Sequence, residues 1–250
     1  MKNTIYIILL LISKLTWATG GITYFDNGNK LYQNGKYQEA ITEYELASDG
    51  NLESAELYFN LGNCFYKLHK VAPAVYNYEK ALQLNPNDSE IETNLNFAKK
   101  MAIDDIKVIQ KVGFGKLVQD FTSSYHYNNW AWIAVFQSFI FLLFFIGYYF
   151  SGTALKKRAF FLGMFIVFLG ILISVFSALF EKNRLLNEKP AIVFAEVIDV
   201  KSEPKKLSTT AFTLHEGTKV YVLESIANWK KIQLTDETTG WIVESAIKEF

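Results

Sequence analysis

The chain has 250 residues, half of them apolar and 16% aromatic, and its 25 basic side chains are balanced by 25 acidic ones. Zero net charge argues against a nucleic-acid binder, which needs a basic excess to displace counterions from phosphates. A single cysteine, Cys64, excludes an intramolecular disulfide framework and every multi-cysteine metal or cluster site, and so few prolines and glycines (4 and 14) argue against a disordered or collagen-like chain.

The first residues, Met1-Lys2-Asn3, precede an apolar run from Ile5 to Ile12 and a small residue at Ala18. This is the layout of a secretory signal over residues 1–18. The run is too short to span a bilayer, which takes roughly twenty apolar residues. Cleavage near Ala18 is expected; an uncleaved anchor and a buried first helix are the alternatives.

Shifting the following sequence by thirty-four residues places Tyr24 on Tyr58, Gly28 on Gly62, Ala40 on Ala74, Tyr44 on Tyr78 and Ala47 on Ala81. The coincidences keep helical spacing, and Pro86 stops the second unit. The run at 55–63, with Ala74, Tyr78, Ala81 and Pro86, resembles the tetratricopeptide (TPR) family of helix-turn-helix repeats. The first unit departs from that pattern at Asn27 and closes on Asp49-Gly50 rather than on proline. Asp88 is a fitting N-cap for a further helix, so residues 19–101 are expected to hold two repeats and a capping helix. Arrays of this kind usually need about three repeats to bury a core, so the membrane or a partner chain is expected to supply the remainder.

The resemblance implies a concave groove lined by the first helix of each repeat. Carried over by position, it gives Phe25, Asn29 and Tyr32 from the first unit, Phe59, Asn63, Tyr66 and Lys67 from the second, and Phe97 and Lys100 from the cap. An Asn side chain both donates to and accepts from an extended peptide backbone, and aromatic rings add apolar contact. Asn29 and Asn63 are expected to face solvent, either serving such a peptide or as plain consensus surface residues.

Residues 102–129 form an amphipathic linker, lying along a membrane surface or packed under the repeats. Residues 130–150 and 159–180 carry no charge, and each makes a helix of about 30 Å, the thickness of a bilayer's hydrocarbon core. Trp130 and Trp132 at one end of the first, with Tyr148 and Tyr149 at the other, suit the two interfaces. Residues 151–158 are too few for anything but an antiparallel transmembrane hairpin, and Lys156, Lys157 and Arg158 favour a cytoplasmic turn. Lys182, Arg184 and Lys189 in the 181–189 linker nearly balance that count. The export signal decides: both soluble parts are expected on the periplasmic side of a bacterial inner membrane.

From Pro190 the pattern becomes short β-rich runs separated by turn residues, which suggests a small barrel over residues 190–250. Val-Lys-Ser-Glu-Pro at 200–204, His215-Glu216-Gly217, and Trp229 and Trp241 are similar to bacterial SH3-like domains, with Lys201 and Glu203 in place of the usual Arg and Gly. That similarity implies binding of peptides or cell-wall material and puts Trp241 in the core. The fold class is therefore multi-domain: all-α TPR repeats, a two-helix transmembrane hairpin and a C-terminal all-β SH3-like barrel. The whole layout resembles the BatE-type proteins of Bacteroidetes aerotolerance operons. This implies membrane-anchored von Willebrand A-domain proteins as partners, with the lipid bilayer and peptidoglycan as further contacts.

No catalytic constellation, metal site or cofactor motif stands out. His69, His126 and His215 are scattered; His215-Glu216 lacks the second His of a zincin helix, and Gly113-Phe114-Gly115 lacks the third Gly of a dinucleotide site. Cys64 reads as a packed small residue more than a reactive thiol. The expected function is a non-enzymatic membrane-anchored interaction scaffold. The alternatives are an envelope sensor or anchor that holds peptidoglycan and a redox component using Cys64.

Overall fold

The computed structural model describes residues 19–107 and 113–250; the signal expected over residues 1–18 lies outside the described residues. The chain divides into two compact units, taken in turn.

The first unit begins with five helices: α1 (Thr19–Gln33), α2 (Tyr37–Asp49), α3 (Ala55–Lys67), α4 (Val71–Leu84) and α5 (Ser89–Lys99). Helices α1 and α2, and α3 and α4, pair through turns that reuse one left-handed residue, Gly35 at φ +74° and, thirty-four residues on, His69 at φ +56°. Such a residue at a helix C-terminus lets the next amides reach back to the last carbonyls, as Lys36 does to Leu31 (3.0 Å) and Lys70 to Phe65 (2.9 Å). His69 therefore serves the backbone. The repeated glycines have an equally concrete reason. A Cβ at Gly28 would stand 2.5 Å from the Tyr44 ring, and one at Gly62 2.6 Å from the Tyr78 ring. Each tyrosine lies flat against a glycine of the facing helix and is fully buried. Ser54 caps α3 by accepting from the Leu57 amide, and Asp88 caps α5 through the Glu90 and Ile91 amides.

The same unit contains strands β1 (Pro190–Val193), β2 (Val197–Lys201), β3 (Thr210–His215), β4 (Lys219–Ile226), β5 (Trp229–Gln233), β6 (Thr239–Val243) and β7 (Ile247–Glu249). They form one antiparallel sheet in the order β3-β2-β6-β5-β4-β1-β7. The edge strands β3 and β7 do not pair with each other, so the sheet is open where the sequence suggested a closed barrel. Trp241 is buried, although its neighbour Ile242 is the one that joins the sheet's core, and Trp229 is half-buried. At the β7 edge, helix α4 takes the place a closing strand would fill. The Tyr76 hydroxyl donates to the Glu249 carbonyl (3.3 Å), and its ring meets Phe194 and Phe250 edge-on.

Strand β1 is buried along its whole length. Its alternation sends Ala191 and Val193 into the sheet's core and Ile192 into the core of the repeats. The missing cover for a two-repeat array is thus supplied in part by the chain's own C-terminal sheet. Two polar clusters fix the register of this seam. Glu79 of α4, buried, meets Lys219 of β4 at 2.6 Å and Lys99 of α5 at 2.8 Å. Asp104, just after α5, accepts from the His215 amide (2.7 Å) and the Thr218 hydroxyl (2.6 Å) and faces His215 Nδ1 (2.7 Å). It thereby holds the β3–β4 turn, where Gly217 at φ +87° lies against Val71. Burial disfavours ionised Asp104, but these hydrogen bonds outweigh it and lower its carboxyl below the ordinary range.

The second unit contains α6 (Phe114–Thr122), α7 (Tyr127–Phe150) and α8 (Ala154–Glu188). Helices α7 and α8 form an antiparallel hairpin that closes where glycines face rings: Phe160 lies over Gly147 and Phe144 over Gly163. Ser174 donates to Gln137 Oε1 (3.1 Å) between them. Both helices overrun the limits expected for them. Helix α7 starts earlier because His126 caps it, and α8 continues to Glu188, its last turns braced by Arg184 between Glu181 and Glu188. Among the described residues these two helices are long and apolar enough to cross a membrane, with mean hydropathy of 2.0 and 2.7 in their most apolar stretches.

Glu79 makes the seam sensitive to acid. Burial opposes its ionisation, but Lys219 and Lys99 overcome that and hold its carboxyl at about 2 against an ordinary 4.5. A carboxyl lowered in the fold contributes stability that is present above its unfolded value and is lost as pH falls through its folded one. That contribution is on the order of 3 kcal/mol, and it should fade between about pH 4.5 and 2. Denaturant titrations across that window should show Glu79→Gln to be less stable than the parent at neutral pH, with the difference shrinking towards pH 2. A difference independent of pH would remove the ion cluster from the account.

Candidate partner-binding groove

Three helices, α1, α3 and α5, stand side by side as the first helices of successive repeats, and one polar motif joins them. The Tyr44 hydroxyl donates to Asn29 Oδ1 (2.8 Å), and Asn60 of the next repeat donates to the same oxygen (3.0 Å). Thirty-four residues on, Tyr78 (2.7 Å) and Asn94 (2.9 Å) donate to Asn63 Oδ1. Asn29 and Asn63 are half-buried rather than solvent-facing, and their carbonyl oxygens are already doubly engaged. The spacing makes this arrangement necessary. The tyrosine that presses on each glycine ends in a hydroxyl that needs an acceptor once buried, and the asparagine one residue beyond that glycine supplies it. Burial raises the Tyr44 and Tyr78 hydroxyls well above the usual phenol range, so both remain donors.

The other groove residues divide by exposure. Phe25 and Phe59 are half-buried and tilt against the Tyr44 and Tyr78 rings at 5.7 and 6.0 Å. Tyr32 packs on Tyr37 (5.3 Å), and Tyr66 is half-buried against the core of the repeats. Lys67, Phe97 and Lys100 remain exposed, with the Lys100 ammonium 5.7 Å from the Phe97 ring. Sequence reasoning missed Asn60 and Asn94, although the thirty-four-residue shift superposes them. It also missed Asp104 and Glu79, whose partners in the sheet, His215, Thr218 and Lys219, lie more than a hundred residues away and leave no local pattern.

Reactive chemistry finds little support. Cys64 is fully buried, and burial pushes its thiol up to about 12, so almost no nucleophilic thiolate exists at neutral pH. His215 is engaged with Asp104 in holding a turn. Among the described residues no group of three or more His, Cys, Asp or Glu is placed to hold a metal ion.

The asparagine ladder yields a direct test. Asn63→Ala leaves the buried Tyr78 hydroxyl without its acceptor, a loss of about 1–3 kcal/mol. Thermal melting should fall accordingly, and Tyr78→Phe added to Asn63→Ala should cost much less than Tyr78→Phe alone. Additive losses in that double-mutant cycle would mean the two side chains are not coupled.

A family model described as tetratricopeptide repeat matches residues 55–88, and one described as TPR repeat matches residues 28–69. No curated protein matches the sequence. The chain contains tetratricopeptide repeats, a module of protein–protein interaction, over residues 28–88.

Proposed function

We propose that this chain is a non-enzymatic, membrane-anchored scaffold whose repeats hold an extended segment of a protein partner. The observation that carries the reading is the ladder. It joins α1 to α3 and α3 to α5 through Asn29–Asn60 and Asn63–Asn94, the three helices that carry the groove residues. With their oxygens committed, Asn29 and Asn63 offer their Nδ2 groups to the carbonyls of a peptide. Lys67, Phe97 and Lys100 supply the exposed aromatic and cationic contacts that anchor such segments.

The membrane part of the proposal rests on α7 and α8. Only 6% and 11% of their most apolar stretches are buried, whereas a helix at the core of a soluble protein is mostly buried. So much uncovered apolar surface requires a nonaqueous surrounding. Residues 151–158, with three successive cations, form the cytoplasmic turn of this hairpin, and the repeats and the SH3-like sheet lie in the periplasm. The arrangement is that of the BatE-type proteins which the sequence resembles, with membrane-anchored von Willebrand A-domain proteins as partners.

Two experiments test these assignments. Alkaline phosphatase fused after Ser124 or after Phe250 should be active, and fused after Lys157 inactive; an inactive fusion at Phe250 would overturn the topology. For the groove, Lys67→Ala with Phe97→Ala alters only exposed side chains. Recovery of partners from detergent extracts should drop about tenfold or more, the equivalent of roughly 1.4 kcal/mol or above. Unchanged recovery from a folded double variant would move the binding site away from the repeats.

A further inference from the structure

Helix α6 is bound back onto the hairpin rather than left as a free linker. The Trp130 indole donates to the Thr122 carbonyl (2.8 Å), and its ring meets Phe121 at 5.4 Å and Tyr125 at 5.5 Å. Trp130 is buried by these contacts. Between α6 and α8 runs a groove of about 460 Å³, walled by Leu117, Val118 and Phe121 on one side and Leu172, Ile173 and Phe176 on the other. No charged side chain lines it. Its volume falls in the range of small-molecule pockets, about 300–1,000 Å³, and an apolar space of this kind does not hold ordered water.

We infer that this groove holds one acyl chain of a membrane phospholipid, with α6 lying in the lipid interface as a third membrane element. The inference rests on the membrane reading of α7 and α8. Three features select a lipid over other occupants. The α8 wall lies inside the uncharged stretch 159–180, and by helical rise it sits about 6–12 Å from that stretch's end, close to the depth of about 5–10 Å at which interfacial helices rest. Phe114, Leu117 and Phe121 of α6 are 80%, 66% and 52% exposed along one face, while Lys116 pairs with Asp120. Leu172 and Phe176 are themselves half or more exposed, so the groove opens onto the surface that hydrocarbon would cover. A flexible chain of methylenes matches a cleft lined almost wholly by apolar side chains, Thr122 and Ser177 being its polar members.

The test uses the full-length protein extracted into detergent from membranes and examined by native mass spectrometry. One phospholipid per chain should survive delipidation. Leu117→Trp and Ile173→Trp, which fill the groove from opposite walls at exposed positions, should each reduce its retention by about tenfold or more, as displacing two or three buried methylenes would do. Circular dichroism verifies the fold of each variant. A phospholipid carrying a photoreactive acyl chain, introduced into the membrane beforehand, reports separately on the hairpin. Retention in the parent, loss in both variants and labelling of α6, α7 and α8 support the inference. Labelling of α7 and α8 without retention, or with equal retention in the variants, overturns the groove and leaves the membrane reading standing. No labelling of either helix overturns both.

Discussion

The four residues of β1 are buried on both faces, and the first unit depends on that fact. A strand normally gives one face to a core and the other to water. Here the alternation Ala191, Ile192, Val193 is divided between two cores, the sheet's and that of the repeats. Two repeats and a cap leave an apolar helix face uncovered, and an open sheet leaves an edge. Each defect is the other's remedy, since α4 covers the edge that β7 leaves unpaired and β1 covers the face that a third repeat would have covered. The polar groups at this seam are therefore buried or half-buried and must be matched. Glu79 sits between two lysines, and Asp104 between a histidine, a threonine and a backbone amide. Mismatching either would leave a buried charge uncompensated, which costs far more than a matched pair contributes.

Within the repeats, stability draws on one linked set of side chains. Gly62 admits the Tyr78 ring, the ring brings a hydroxyl into the interior, Asn63 accepts it, and Asn94 completes the link to the next helix. The sequence repeats the scheme at Gly28, Tyr44, Asn29 and Asn60. In each case one asparagine oxygen accepts from both the facing helix and the next repeat.

In the hairpin, packing is also built on glycine opposite a ring, but for another reason. Small residues let the two helices approach closely, and a polar link between them adds to the van der Waals contact. Phe160 over Gly147, Phe144 over Gly163 and the Ser174–Gln137 hydrogen bond provide both.

Much of this architecture could be read from local spacing. The thirty-four-residue shift locates the repeats, the uncharged runs locate α7 and α8, and Asp88 marks the start of α5, because helical periodicity, hydropathy and capping are properties of neighbouring residues. The burial of Trp241 was implied by the SH3-like similarity. Closure of the sheet could not be read locally, since whether edge strands pair depends on what stands beside them, and here that is Tyr76 of α4, remote in sequence. Nor could the state of Asn29 and Asn63, which periodicity correctly put on the first helices. Their carbonyls are claimed by a tyrosine from the second helix and an asparagine from the next repeat, a contact that only stacking creates. Local sequence determined which elements form and what each face is made of. Tertiary structure decided which faces meet, because burying a charge or a hydroxyl is tolerable only where a distant partner arrives to satisfy it.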